Sequence, residues 1–210
     1  MPGYNLVCRN RQINTRGGVA IYIKDTFKFK RRYDLEVNVD GEFESIIIEA
    51  EFNNSKVIVG EIYRVPNTSE SDSISRYDTI LNTLLNNKMD TMLGTDQNFD
   101  YVNIDQHKNT CELLNTFITS GFLPVITHPT RVTRTTSTLI DNIYINGKVD
   151  KYNINSAVLN CDISDHFPVC IFYGKKTQPS KQRLCITSRH LNDVKIVEIT
   201  NSLGSVNWNY

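Results

Sequence analysis

Short runs of β-branched and aromatic residues fill the first third of the chain, and they constrain its fold more than any other feature. They lie at 4–8, 19–23, 43–52 and 56–63. Runs of this length and composition are typical of β-strands. A polar Asn-Asn-Ser stretch at 53–55 separates the last two runs and predicts a hairpin turn. A chain that begins in this way needs a core built on a sheet.

Two later segments have helical periodicity instead. Between Asp72 and Lys88, apolar residues recur every three or four positions, behind candidate N-cap residues at 71–73. A second helix is predicted at 109–120, where Gly121 ends it. Its predicted apolar face consists of Leu113, Leu114, Phe117 and Ile118.

Further strands are predicted at 142–145, 157–159 and 167–173. The order of strands and helices favours a layered α/β protein with a mostly antiparallel core over a regular βαβ array. The composition changes after Gly174 to a Lys- and Pro-containing stretch at 175–180, which predicts a linker. We therefore expect one domain at 1–174 and a following segment at 175–210 with a strand and a polar helix.

Composition limits the possible function classes. The 210 residues are 40% hydrophobic, enough for one sizeable core. Lys+Arg and Asp+Glu each number 23, so a strongly basic nucleic-acid-binding protein is not indicated. Any affinity for DNA must come from local clusters such as Lys28, Lys30, Arg31 and Arg32, which can equally form a solvated face.

The cysteines and the N-terminal residues give information on the cellular compartment. Five widely spread cysteines without CxxC spacing favour a reduced, intracellular protein over a disulfide framework or a zinc site. The N-terminal residues have no signal-peptide pattern, and no window is apolar enough to predict a membrane span. We expect a cytoplasmic or nuclear protein without membrane contact. The oligomeric state is open.

Polar residues of possible catalytic value stand at the ends of predicted strands. Asp96 and Asn98 follow the strand that begins near Asp90, and they face the same side if strand geometry continues. Asp141 is embedded in apolar sequence, and Asp165 and His166 precede another strand. Each alone also fits a turn, a cap or a satisfied buried carboxylate. Together they supply the groups that metal-dependent phosphodiester hydrolysis needs.

Five motifs in order resemble a known superfamily. They are Gly-Gly-Val-Ala-Ile-Tyr-Ile at 17–23, Ile-Tyr-Arg-Val-Pro-Asn at 62–67, Leu-Gly-Thr-Asp-Gln-Asn at 93–98, Leu-Ile-Asp-Asn-Ile at 139–143 and Ser-Asp-His-Phe-Pro-Val at 164–169. The set resembles the endonuclease/exonuclease/phosphatase superfamily, and within it the endonuclease of LINE-type non-LTR retrotransposons. The tail, with Arg183, Leu191 and Trp208, also resembles the segment that leads toward a polymerase.

The resemblance implies a four-layered α/β sandwich of two packed, mostly antiparallel sheets and a Mg²⁺- or Mn²⁺-dependent site. In that site Asp96 would orient or activate water, and Asn98 would help hold the nucleophile and the phosphate. His166 would contact the scissile phosphate while Asp141 fixes its ring. Asp165 would serve the metal.

The same resemblance places further residues against the substrate. Tyr63 and Asn67 match phosphate-facing positions of the superfamily, and Arg131 and Ser137 match a DNA-contacting loop. The implied partners are DNA and a downstream reverse transcriptase segment. The implied reaction nicks target DNA and leaves a 3′-hydroxyl primer.

Two departures from the superfamily pattern affect this reading. The usual Gly-Asp-Phe-Asn signature is Thr-Asp-Gln-Asn here, which keeps Asp96 and Asn98. The opening strand, with its Asn, and the metal-binding Glu segment have no counterpart, and Glu42, Glu44 and Glu61 are given no metal role. We therefore expect the first strands of the fold to be missing, so enzymatic activity stays open.

Alternative functions remain at this point. One is a catalytically inactive relic or nucleic-acid-binding module that keeps the fold. Another is an inositol-phosphate-type phosphodiesterase that uses the same acids and histidine. The sequence has no nucleophile elbow, P-loop or dinucleotide fingerprint, so serine-hydrolase, NTP-dependent and NAD-dependent chemistry have no support.

Overall fold

The structure, a computed structural model, describes residues 1–11, 17–52, 55–146, 152–161, 163–175 and 193–204. Its strands are β1 (Tyr4–Arg9), β2 (Val19–Lys24), β3 (Phe29–Arg31), β4 (Phe43–Phe52), β5 (Ser55–Arg64), β6 (Asp90–Asp96), β7 (Leu123–Pro124), β8 (Arg131–Val132), β9 (Ser137–Thr138), β10 (Asp141–Ile145), β11 (Tyr152–Val158) and β12 (Val169–Lys175). Its α-helices are α1 (Glu70–Asn87), α2 (Lys108–Thr119) and α3 (Asp193–Gly204), and short 3₁₀-helices lie at Tyr33–Leu35 and Tyr101–Gln106.

Two compact units divide the chain, Met1–Lys176 and Thr177–Tyr210. The second contains α3. The predicted linker, apart from Lys175, lies outside the described residues, and so do Arg183, Leu191 and Trp208. No helix in the described part of the chain is both long and apolar enough to cross a membrane.

A six-stranded mixed sheet with the order β3-β4-β5-β6-β10-β7 forms the centre of the first unit. Neighbouring strands are antiparallel except β5 and β6, which α1 connects as a crossover. A parallel pair needs a connection of this kind. The hairpin between β4 and β5 pairs Phe52 with Ser55, so the third residue of the predicted turn at 53–55 belongs to β5, and the first two lie outside the described residues.

The helices α1 and α2 cover one face of this sheet. Ser69 caps α1, its hydroxyl accepting from the Asp72 backbone N–H at 3.3 Å, so the helix begins slightly earlier than predicted. The side chains of Tyr77 and Phe117 are fully buried between the helices and the sheet. Gly121, with a φ of +72°, follows α2. The predicted apolar face of α2 was wrong at Ile118, which is 45% exposed.

The opposite face of the sheet is covered by two antiparallel hairpins, β1-β2 and β11-β12. Val7, Val19 and Ile23 of the first hairpin pack with Ile46 and Ile48 of β4. The second hairpin packs over β10 through Ile154, Val158, Val169 and Ile171. The predicted α/β sandwich of packed, mostly antiparallel sheets is confirmed.

Candidate active site

The residues of greatest chemical interest gather at one end of the central sheet, on the face that the two hairpins cover. Asp96 ends β6 and Asp141 begins β10, and the two residues are direct partners in the antiparallel register. Tyr63, on the other side of Asp96, is its partner in the parallel β5–β6 pair. The topology thus places three residues from separate parts of the chain side by side.

His166 completes this group from the loop before β12. Its Nδ1 atom lies 3.0 Å from Oδ2 and 3.1 Å from Oδ1 of Asp141. The Thr130 hydroxyl donates to Oδ2 of Asp141 at 2.6 Å. Thr130 also fixes the histidine loop, because its carbonyl accepts from the backbone N–H of Phe167. The imidazole is therefore held by one nitrogen, and no described residue bonds Nε2.

The donor atoms of Asp96, Asp141 and His166 all lie within 4.8 Å of one another, a spacing at which one metal ion could bind. Oδ1 of Asp96 is buried and lacks a hydrogen-bond partner among the described residues. Burial and the neighbouring Asp141 charge raise the pKa of Asp96 to about 6, although His166 and Arg131 act in the opposite direction. A carboxylate in this setting is suited to bind a cation or accept a proton.

A cleft of about 360 Å³ lies beside this group, over β5, β6 and β10. Glu61, Asp96 and Asp141 supply its acidic lining, and Val169 and Ile171 of β12 supply an apolar wall. Glu61 was given no role from the sequence. Burial, followed by the charges of Asp96 and Asp141, raises the pKa of Glu61 to about 7.

Asn98 does not continue the strand geometry assumed from the sequence. Its φ is +51°, and β6 ends two residues before it. Its amide Nδ2 donates to the Arg64 carbonyl at 2.8 Å, and the Arg64 guanidinium donates back to the Asn98 carbonyl at 3.2 Å. The backbone N–H of Asn98 lowers the pKa of Asp96 slightly against the effect of burial. Asn98 thus joins the ends of β5 and β6 in this structure.

The other predicted site residues lie around the rim. Asn67 is exposed in the turn after β5, with a φ of +63°. The Asp165 carboxylate accepts from Arg131, with contacts of 2.6 and 2.8 Å. Ser137, exposed in β9, belongs to the same short hairpin as Arg131. The structure therefore brings Asp165 to Arg131, and the group of potential metal ligands found among the described residues does not include it.

The unusual Gln in the Thr-Asp-Gln-Asn segment has a structural partner. Gln97 is fully buried on the helix side of the sheet. Its Oε1 atom accepts from the Tyr144 hydroxyl at 2.7 Å, and that hydroxyl lies 2.5 Å from the hydroxyl of Tyr101. Thr95 contributes a longer hydrogen bond of 3.3 Å. A polar residue fits here because buried hydroxyls satisfy it.

The two arginines of the basic cluster at 28–32 are paired with acidic residues of the chain. Arg31 forms an ion pair with Glu36 at 2.8 Å. Arg32 pairs with Asp34 at 2.7 Å and with Glu49 at 3.0 Å. These two arginines therefore belong to a solvated surface with internal ion pairs and not to a phosphate-binding patch.

Comparison with known proteins gives likenesses of structure only. No family sequence model matches the chain, and no curated protein sequence matches it significantly. The endonuclease domain of TRAS1, a telomere-specific non-LTR retrotransposon, superposes with a TM-score of 0.67 at 13% identity, covering 85% of this chain and 82% of that one. The catalytic domain of Xenopus laevis APE2 gives a TM-score of 0.60 at 15% identity, with coverages of 83% and 76%.

A mannosyl-6-phosphatase of Bacteroides thetaiotaomicron is also similar, with a TM-score of 0.56 at 13% identity over 82% of this chain and 78% of that one. These proteins share the arrangement of sheets and helices described above. The chain therefore has the fold of the endonuclease/exonuclease/phosphatase superfamily.

Proposed function

We propose that this chain is a divalent-metal-dependent phosphodiesterase that nicks DNA. The observation that carries the proposal is the pairing of His166 with Asp141 beside Asp96, whose unpartnered oxygen is buried. Two carboxylates and an imidazole within one ion's reach are the groups that phosphodiester hydrolysis requires. The structural likeness to the TRAS1 endonuclease domain supports DNA as the substrate.

The donor set fits Mg²⁺ or Mn²⁺, because carboxylate oxygens are the ligands that these hard ions prefer. Asp96 would hold the ion, which when bound would neutralise charge on the phosphate and lower the pKa of bound water. Asp165 is a further candidate ligand next to His166. Its carboxylate becomes available if Arg131 exchanges it for a DNA phosphate.

The residues of the chain have distinct tasks in this proposal. Asp96 orients the attacking water and accepts its proton on the carboxylate oxygen that does not hold the ion. His166, held by Asp141, donates through Nε2 to a non-bridging phosphate oxygen. Water forms the new P–O bond, the P–O3′ bond breaks, and the O3′ leaving group takes a proton from solvent water to give a 3′-hydroxyl.

The outer positions would contact the DNA strand. Tyr63 adjoins Asp96, and Asn67 and Asn98 stand at the ends of the strands that carry these residues. Arg131 and Ser137 lie on the hairpin beside His166 and would meet the DNA backbone. More specifically, we propose a nick of the retrotransposon type, which leaves a primer for a downstream reverse transcriptase segment.

Incubation of supercoiled plasmid with the purified chain and Mg²⁺ tests the proposal. Nicked circles are expected from the wild type and not from Asp96→Ala, His166→Ala or an EDTA-treated sample. Asp105→Ala and His128→Ala are matched controls, since both residues are exposed and outside the site. A polymerase should extend the nicks directly. Nicks that first need removal of a 3′-phosphate would contradict the 3′-hydroxyl product.

The second candidate function is a DNA-binding module without turnover. The ion pair between Arg131 and Asp165 favours this function, because it engages the carboxylate of a candidate metal ligand. This candidate requires duplex binding that weakens with salt, as phosphate contacts do, and no Mg²⁺-dependent nicking by a folded chain.

A further inference from the structure

Of the three glutamates that the sequence analysis left without a metal role, two have cationic partners. Glu42 pairs with Arg76 at 2.7 Å. Glu44 pairs with Arg11 and also accepts from the backbone N–H of Gly18 at 2.9 Å. Glu61 has no hydrogen bond or ion pair among the described residues, and its partly buried side chain lines the cleft. Even partial burial of an acid without a partner is unfavourable, because the lost hydration of the carboxylate is not compensated.

Glu61 reaches across the sheet instead of toward solvent. It is the register partner of Gly94 in the parallel β5–β6 pair. A Cβ atom on residue 94 would clash with the Glu61 carboxylate, so the carboxylate lies directly over the glycine. Gly94 precedes Asp96 by two residues, which places both on the same face of β6. The missing side chain is what lets Glu61 extend over β6.

The charges around Glu61 are of the same sign. Burial raises the pKa of Glu61 most, and the charges of Asp96 and then Asp141 raise it further. Asp96 also has a buried oxygen without a partner. Glu61 and Asp96 line the same cleft, and two ionised carboxylates there repel one another unless a cation lies between them.

We propose that Glu61 and Asp96 form a divalent-cation site at the floor of the cleft, which we call the floor site. The proposal rests on the metal dependence proposed above and extends it by naming a ligand on β5. Carboxylate oxygens favour a hard cation such as Mg²⁺ or Mn²⁺, with water completing the coordination shell. Asp141 lies at the border of the floor site but is engaged with His166 and Thr130.

A titration of the full chain with Mn²⁺ tests the floor site independently of catalysis. The electron paramagnetic resonance signal of free Mn²⁺ gives the dissociation constant. Glu61→Gln keeps the shape of the side chain and removes its charge. We expect it to weaken Mn²⁺ binding by about 10-fold or more, in the range of mutations at metal sites. Glu112→Gln, on the exposed face of α2, should bind Mn²⁺ like the wild type.

Gly94→Ala is an independent variant, because it leaves every charge in place and displaces only the flexible end of Glu61. It should also weaken Mn²⁺ binding, and circular dichroism on each sample checks that the fold is kept. Unchanged Mn²⁺ affinity in a folded Glu61→Gln or Gly94→Ala variant would overturn the floor site, and so would a wild type that binds no Mn²⁺.

Plasmid nicking by the same samples separates this inference from the proposed function. A wild type that nicks DNA, with Glu61→Gln unchanged in Mn²⁺ affinity, overturns the floor site and leaves the nuclease function intact. A wild type that binds Mn²⁺ through Glu61 but never nicks DNA supports the floor site and overturns the nuclease function.

Discussion

The Nδ1 atom of His166 lies 3.0 Å from Oδ2 of Asp141, across 25 residues of sequence. Because this contact occupies Nδ1, it fixes the ring orientation and leaves Nε2 available for a substrate. Thr130 supports the arrangement by donating to the same Oδ2 atom at 2.6 Å. The orientation of the proposed phosphate-binding group therefore depends on a carboxylate that does not itself need to touch the substrate.

Asp141→Asn should reduce the nicking rate by about 10- to 100-fold, because the amide cannot hold the imidazole in the same way. The double variant Asp141→Asn/His166→Ala should be no slower than His166→Ala alone, since the two residues act as one unit. Single-turnover nicking rates measure both effects. Additive losses in the double variant would show that Asp141 does not act through His166.

The hydrogen bond between Tyr144 and Gln97 should matter for stability. Tyr144→Phe removes the hydroxyl that donates to Gln97 at 2.7 Å and leaves a buried amide oxygen with fewer donors. We expect the free energy of unfolding to fall by about 1–3 kcal/mol in urea titrations. Tyr22→Phe, at a site 53% exposed, is the control and should change little. Equal stability of the two variants would contradict the importance of this contact.

The pH dependence of stability follows from the two raised pKa values. Glu61 and Asp96 have pKa values of about 7 and about 6, above their ordinary 4.5 and 3.8. Between the ordinary and the raised values the folded state holds protons that the unfolded chain has released. Their contribution therefore makes the free energy of unfolding decrease from about pH 4 to about pH 7.

Urea titrations in EDTA at pH 5 and pH 8 measure this decrease, and Glu61→Gln should reduce it by removing one of the two groups. Asp34, Glu49 and Asp165 have lowered pKa values and change charge below this window. A decrease in Glu61→Gln as steep as in the wild type would contradict the assignment to Glu61.

Arg131 should affect DNA binding more than folding. Its ion pair with Asp165 joins two side chains that are 45% and 58% exposed. The loss of such a pair costs at most about 1 kcal/mol. Arg131→Ala should weaken duplex binding and reduce the salt slope by about 1, as expected for one lost phosphate contact. Lys108→Ala, on α2, should leave that slope unchanged, and an equal loss in both variants would argue against a specific contact.

Sequence periodicity predicted the elements that are long and regular. The strands β4 and β5 and the helix α1 each have enough residues for a clear apolar pattern. The strands β3, β7, β8 and β9 were not predicted, because two or three residues are too few for a period to appear. Ile118 was assigned to the core, but its side chain is 45% exposed.

The candidate site was predicted only in part. The contact between Asp141 and His166 was expected from the family motifs, and the structure contains it. Glu61 was missed because it occupies an ordinary position in a strand. Only the register that sets it opposite Gly94 shows why its carboxylate turns inward. The register joins β5 and β6, which α1 separates in the sequence. No local sequence pattern therefore indicates that Glu61 and Gly94 are partners.

Cleavage of a labelled DNA duplex in ¹⁸O-water, with Mg²⁺ and mass analysis of the products, tests the central claim most directly. We expect one ¹⁸O atom in a new 5′-phosphate and an unlabelled 3′-hydroxyl on the other fragment. Both products should be lost in Asp96→Ala and in His166→Ala. A folded wild-type chain that yields no ¹⁸O-labelled 5′-phosphate, or variants that yield as much as the wild type, would contradict the account.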